Sequence, residues 1–442
     1  MKLSNFFSKF FIIKNSPKTI IVQLIPIFVF LAWAIFFFKG IISVPFHPDE
    51  STQIFMSADF DTIVTGNVKV LFYNDKDPDN PLQKYRLLDS PITRYTIGLG
   101  RYLTQSPTLE IDWNWAGSWE ENSSALPNRK LLNISRLSIA IFLPVTILLY
   151  YVLTKKIFGF PLSALSTILL MTNSIILLHT RRAMAESGLL FFLVISLLAL
   201  IKLPNKYLFL SAVPIALGLN TKQSLLPLLI VGFVFIAYKA KSNIKSMVLQ
   251  LSLFILLIVS IFYILNPVIW EKPLATFSAM LSKRSQLTAN QMASIAIDSP
   301  TFVLNNPIER FIGIFGQLFV VKPAIQDIAN YDSSLQNTII EYNQNKLHSG
   351  FGRNIFMGAI IFIFFCIGAI SEYKNQDPLK ILVFSVMILF IIEILFFFPI
   401  PFQRYYILLF PFSIIYASSG IIKSYKYSLN IVRNLNINLQ NQ

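Results

Sequence analysis

The sequence predicts an all-α polytopic membrane protein with about ten transmembrane helices and two large extracytoplasmic loops bearing interfacial helices. Three observations carry that expectation. Of 442 residues, 54% are hydrophobic and only 13% are charged, about half the charged share of a soluble domain. Apolar stretches of near-membrane length recur along the whole chain. The basic residues lie in short segments between those stretches, so the net charge of +15 follows the positive-inside pattern and is no nucleic-acid footprint.

The first span, roughly 19–38, follows Lys2, Lys9, Lys14 and Lys18 with no small-residue cleavage site after it. It reads as a retained anchor behind a cytoplasmic N-terminal segment, 1–18. A polar loop follows, 39–130. The second span, 132–153, ends at Lys155-Lys156, the third, 161–178, at His179-Thr180-Arg181-Arg182, and the fourth, 184–201, at Lys202. The region 207–238 is long for one span and short for two. It divides at Asn220-Thr221-Lys222-Gln223 into a short fifth and sixth. The seventh span is 247–266. A second polar loop, 267–353, contains Phe311–Val321, which is too short to cross and reads as an interfacial helix. Spans at 355–370, 380–398 and 405–422 follow, then a tail at 423–442. One transmembrane domain, 19–422, results.

Alternation of sides puts both long loops outside. The inner segments then hold 16 basic residues against two acids, Glu372 and Asp377, whereas residues 45–130 hold 12 acids and 8 bases. This implies an integral protein of the cytoplasmic membrane of a bacterium or archaeon, with cytoplasmic termini and a functional site on the outer side. The single cysteine, Cys366, lies in an apolar run, which excludes an intramolecular disulfide framework and a thiolate metal cluster. Gly98-Leu99-Gly100 lacks the rest of a nucleotide-binding loop.

Charged residues recur where this topology meets the outer surface, and carboxylates there are costly without work or partners. Asp49 and Glu50 stand in Pro45-Phe46-His47-Pro48-Asp49-Glu50-Ser51-Thr52-Gln53, directly after the first span. Arg181, Arg182 and Glu186 occupy the third-to-fourth turn, Lys222 the fifth-to-sixth, Glu271 and Lys272 follow the seventh span, and Arg404 precedes the tenth. This mixture suits transfer of a sugar carried on a lipid phosphate. The leaving phosphate needs no proton donor, so one carboxylate suffices to take the acceptor proton while Arg or Lys holds the departing anion.

Each residue also has a plainer reading. Asp49 and Glu50 suit a helix cap; Glu50 caps or positions the acceptor, and His47 orients Asp49. Lys222 and Arg404 suit snorkelling helix ends, and Arg181 with Arg182, candidates like them for holding the donor phosphate, equally suits lipid headgroups. Glu186 is expected to pair with one of those arginines. Trp113, Trp115 and Trp119 read as interfacial anchors or a sugar-stacking platform. Glu393, deep in the ninth span, has no assigned role. Asp49, Glu50, His47 and Asp89, or the acid-x-acid Asp77-Pro78-Asp79, offer ligands for a divalent metal, but the surroundings of the latter read as a solvated loop.

The motifs in order resemble those of lipid-linked-sugar glycosyltransferases of the GT-C fold, and within them the protein O-mannosyltransferase and aminoarabinose (lipid A) transferase branch. After His47-Pro48-Asp49-Glu50 come four further stretches. These are Asp89-Ser-Pro-Ile-Thr-Arg94-Tyr-Thr-Ile-Gly98, Arg182-Ala-Met-Ala-Glu186-Ser-Gly-Leu-Leu-Phe-Phe, Gly218-Leu-Asn-Thr-Lys222-Gln-Ser-Leu-Leu-Pro227 and Arg404-Tyr-Tyr-Ile-Leu-Leu-Phe-Pro411. Ser90-Pro91 stands where the branch has a double proline. The resemblance implies Asp49 as catalytic base and Arg94, Lys222 and Arg404 as phosphate or donor contacts, without a metal or other cofactor. It implies a polyprenyl-phosphate sugar as donor, a glycan, lipid or protein as acceptor, and membrane lipids as surroundings. The alternatives are a transporter or flippase of lipid-linked glycans, and a polysaccharide polymerase or ligase.

Overall fold

The structure, a computed structural model, describes residues 17–77, 80–325 and 332–440. Most of the N-terminal segment and Asp79 of the acid-x-acid pair lie outside the described residues. Among these residues every regular element is helical.

Among the described residues, seven helical stretches are long and apolar enough to cross a membrane: Pro26–Ser43, Arg129–Phe158, Gln223–Ala240, Ile244–Leu265, Ile355–Lys374, Pro378–Phe397 and Gln403–Val432. An eighth is a broken helix, α8 (Phe160–Met171) and α9 (Ser174–Thr180), bent by 57°. Asn173 makes the break, because its side chain accepts the N–H groups of Ile175 and Ile176 at 3.1 Å and restarts the helix. The first span is α1 (Pro17–Ser43), and the second joins α6 (Arg129–Ala140) to α7 (Phe142–Phe158).

The fourth and fifth expected spans are shorter than membrane length. α10 (Glu186–Lys202) has 17 residues, and α11 (Ala212–Leu219) with the turn before it forms the apolar stretch Asn205–Leu219. α10 is apolar all round and buried on nearly every side, the pattern of a helix inside a bundle rather than on its lipid face. α12 (Leu226–Ala240) and α13 (Ile244–Leu265) follow; α13 buries only Gln250 and Phe254. α17 (Ile355–Lys374) and α19 (Phe410–Gln440) cross with their backbones in contact, flanking α18 (Pro378–Phe397). A Cβ on Gly368 would strike the Tyr416 carbonyl, and one on Gly420 the Phe364 carbonyl.

The first long loop folds into four short helices: α2 (Pro48–Met56), α3 (Ala58–Val64), α4 (Pro81–Leu88) and α5 (Pro91–Leu103). The second contains α14 (Pro273–Asp298), α15 (Pro307–Phe315) and α16 (Asp332–Asn343). The expected interfacial segment is α15 plus one wider turn, Gly316–Val320. The two loops meet in a small core of Phe46, Trp113, Ala125 and Leu335, with Trp115 and Trp119 packed against it. Trp113 is therefore interior to the loop assembly, only 2% exposed, whereas Trp115 and Trp119 are half-buried at its edge.

Candidate functional site

His47-Pro48-Asp49-Glu50 is a helix-start device. Pro48 takes the first position of α2, where its missing N–H is not needed. His47 is the N-cap, its Nδ1 accepting the Asp49 N–H at 3.1 Å. Glu50 closes the box by accepting the His47 N–H at 3.0 Å. Asp49 is left as the carboxylate outside the box, 27% exposed, at the positive end of the helix. Because His47 Nδ1 accepts a hydrogen, it carries none. Its 3.7 Å approach to the Asp49 carboxylate is thus a polar neighbour rather than an ion pair through that nitrogen.

Glu50 is fully buried. Oε1 accepts from Arg136 Nε at 2.7 Å and from the Ala183 N–H at 2.8 Å; Oε2 accepts from Arg136 Nη2 at 2.7 Å. Burial alone would raise the carboxyl's pKa, but Arg136, Arg182 and the Ala183 N–H together hold it below the ordinary value. Arg136 further donates to the carbonyls of Ile41 and Val44, both at 2.9 Å. It stitches the end of α1 to α2. The sequence reading missed this residue; an arginine inside an apolar span was its signal.

Three of the expected cations, Arg94, Arg181 and Arg182, are held by scaffold partners. Arg94, 2% exposed, pairs with Asp59 at 3.0 Å and donates to the Asp89 carbonyl at 2.9 Å. Asp59 is shared with Arg86. Arg181 donates to the carbonyls of Phe36 and Phe37, to the Tyr342 hydroxyl and to His348 Nε2. Gly40 makes room for it, since a Cβ there would meet the guanidinium. Arg182 donates to the carbonyls of Pro45 at 3.2 Å and Ile325 at 2.8 Å. Both are fully buried. Glu186 pairs with Lys222 at 3.4 Å rather than with either arginine. The arginine turn points at α1 and the second loop, whereas the first turn of α10 faces Thr221, whose methyl would lie 3.2 Å from a Cβ on Gly188.

The remaining predicted residues come together. The Arg404 guanidinium meets the Asp49 carboxylate directly. Lys222 Nζ lies 5.2 Å from the centre of the Tyr405 ring, the residue next to Arg404. Asp89 accepts from Gln53 at 3.3 Å, and Gln53 is one turn along α2 from Asp49. The start of α5 is tied to the lysine turn: Ser90 Oγ donates to the Leu219 carbonyl at 3.0 Å and the Ile92 N–H to the Asn220 carbonyl at 2.9 Å. All five sequence motifs therefore converge around α2, the third of the five through the Glu50–Ala183 hydrogen bond. Lys222 also lies within electrostatic reach of Glu393. Among the described residues no three His, Cys, Asp or Glu side chains converge as a metal site.

Fold and site together define an all-α polytopic membrane protein in which two carboxylates, Asp49 and Glu186, and two cations, Arg404 and Lys222, come together. No family model and no curated protein sequence matches the chain. Among solved structures, it is similar in shape to the oligosaccharyltransferase of Archaeoglobus fulgidus crystallised with zinc and sulfate. The TM-score is 0.44 and the identity 13%, over 79% of this chain and 42% of that one. The chain thus spans less than half the length of that protein.

Proposed function

We propose that the chain is a GT-C-type glycosyltransferase that moves a sugar from a polyprenyl-phosphate carrier to an acceptor hydroxyl, at the outer face of the membrane. One observation carries this reading: the partly exposed Asp49 lies against Arg404, with Lys222 one aromatic ring away. A carboxylate beside two cations is the set that the chemistry needs. The acceptor oxygen attacks the anomeric carbon, the bond from that carbon to the phosphate oxygen breaks, and its electron pair leaves with the phosphate. Asp49 takes the acceptor proton. Arg404 and Lys222 neutralise the charge that develops on the leaving phosphate. Before the donor arrives Arg404 balances Asp49; a phosphate drawing Arg404 to itself frees the carboxylate for the acceptor.

Glu50 and His47 serve here as positioning residues that fix α2. Arg94, Arg181 and Arg182 hold the loops. The proposed donor is a polyprenyl-phosphate sugar, and the acceptor a glycan, lipid or protein. In this reading both termini are cytoplasmic, in a bacterial or archaeal cytoplasmic membrane, and no metal takes part.

Asp49→Asn keeps the size of the side chain and removes the base. Transfer should fall by about two to four orders of magnitude, read as polyprenyl phosphate released from lipid-linked sugar plus acceptor, while binding of polyprenyl phosphate persists. Wild-type rates in that variant would sink the base assignment. Intact lipid-linked sugar moved across the bilayer with no release by the wild type would instead make the protein a transporter.

A further inference from the structure

Tyr405 lies between the two cations of the site. Lys222 Nζ is 5.2 Å from its ring centre and Arg404 Cζ 5.9 Å. Each cation also has its own carboxylate, Glu186 for Lys222 and Asp49 for Arg404. The ring is the neighbour they share. Its plane is set by Phe398, 5.1 Å away, and by Phe402, which meets it edge-on at 5.5 Å and 79°. Phe402 in turn lies 5.4 Å from Arg404. The residue belongs to a short helical turn, Gln403–Leu409, whose neighbours Arg404 and Tyr406 are buried while Tyr405 remains partly exposed.

Two like charges brought to one place repel, the more so where water is scarce. The negative face of an aromatic ring offsets part of that repulsion without adding a charge that would compete with an incoming anion. Glu186, Asp49 and, within reach of Lys222, Glu393 already offset the two cations, and one more carboxylate between them would repel phosphate. An aromatic ring holds both cations without adding to the negative charge around them.

We infer that Tyr405 is a positioning residue whose ring sets the spacing of Lys222 and Arg404, so that both engage one phosphate headgroup. This rests on the glycosyltransferase reading above. The ring faces both cations; the hydroxyl also lies within hydrogen-bonding reach of Arg404, whereas Lys222 meets the ring. The ligand is the phosphomonoester headgroup of a lipid carrier, and the groups that meet it are the ammonium of Lys222 and the guanidinium of Arg404.

The test measures binding of polyprenyl phosphate to the full-length protein in detergent. Tyr405→Leu should bind about tenfold more weakly, and Tyr405→Phe, which loses the hydroxyl contact with Arg404 but keeps the ring, should retain most of the affinity. Replacing residue 405 with phenylalanines of increasing fluorination, which drains the ring face while keeping its shape, should weaken binding step by step. Leu binding as tightly as wild type, Phe failing like Leu, or fluorination leaving affinity flat would each overturn the role of the ring. Lys222→Ala and Arg404→Ala in the same assay separate the two ideas. If they weaken binding while the Tyr405 variants do not, the phosphate clamp stands and the ring proposal falls. If neither alanine changes binding, the clamp itself fails and the ring proposal fails with it.

Discussion

At the scale of single residues, Asp49 and Glu50 are adjacent carboxylates with opposite surroundings. Glu50 is dry, with both oxygens occupied, and Asp49 is wet at the edge. The pair was legible in the sequence as a costly acidic doublet, but its division was not, because that depends on Arg136, 86 positions along the chain. The helix register decides the rest: Glu50 is the third residue of a capping box and has to turn back, whereas Asp49 does not. Removing one partner of a buried ion pair leaves an uncompensated charge, costing about 3–5 kcal/mol. Arg136→Ala should therefore lower the thermal midpoint in detergent markedly. Changing Arg136→Met and Glu50→Gln together should recover most of the loss. An alanine variant as stable as wild type would remove the pair from its structural role. Distance in sequence likewise hid the carbonyls that occupy Arg181 and Arg182, whereas Arg94 is held by nearby Asp59 and the Asp89 carbonyl, whose roles depend on how the first loop folds.

At the scale of helices, hydropathy located the elements well, because a lipid-facing or bundle-facing helix cannot avoid being apolar. It was less informative on length. α10 and α11 are short, and α10 is shielded by its neighbours rather than by lipid. α14, a 26-residue helix in the second loop, was hidden because its sequence is polar and carries no membrane signal. The closest approach of two helices rests on Gly368 and Gly420, where neighbouring backbones occupy the space of a side chain. Gly368→Val should force α17 and α19 apart and destabilise the protein by about 1–3 kcal/mol or more, read as a lower melting temperature and faster exchange along both helices. Unchanged melting would mean that the crossing adjusts freely.

At the scale of the molecule, the two long loops are one assembly, and His348 fastens the second to the bundle. Its ring lies between Tyr342 and Phe36, 4.1 and 5.3 Å away, and Nε2 accepts from Arg181 at 2.8 Å, leaving the hydrogen on Nδ1 for the Tyr342 carbonyl. Burial, and then the Arg181 charge, lowers its pKa from 6.5 to about 4. Between those two values the undocked histidine binds the proton that the docked one refuses, so docking weakens as pH falls through that window. Residues 332–353 should become more open to proteolysis as pH drops from 6.5 toward 4. His348→Phe should flatten that dependence, and an equally steep profile in that variant would place the sensitivity elsewhere.

The meeting of Asp49 with Arg404 joins positions 355 residues apart. A chain made from its N-terminus inserts α1 and the first loop long before the turn that carries Arg404 has been synthesised. The Asp49 carboxylate is therefore in place early, and its cationic partner arrives only with the turn that carries Arg404. During biosynthesis the membrane holds an intermediate in which Asp49 lacks Arg404, and on the proposed reading such an intermediate is unarmed until that turn is made.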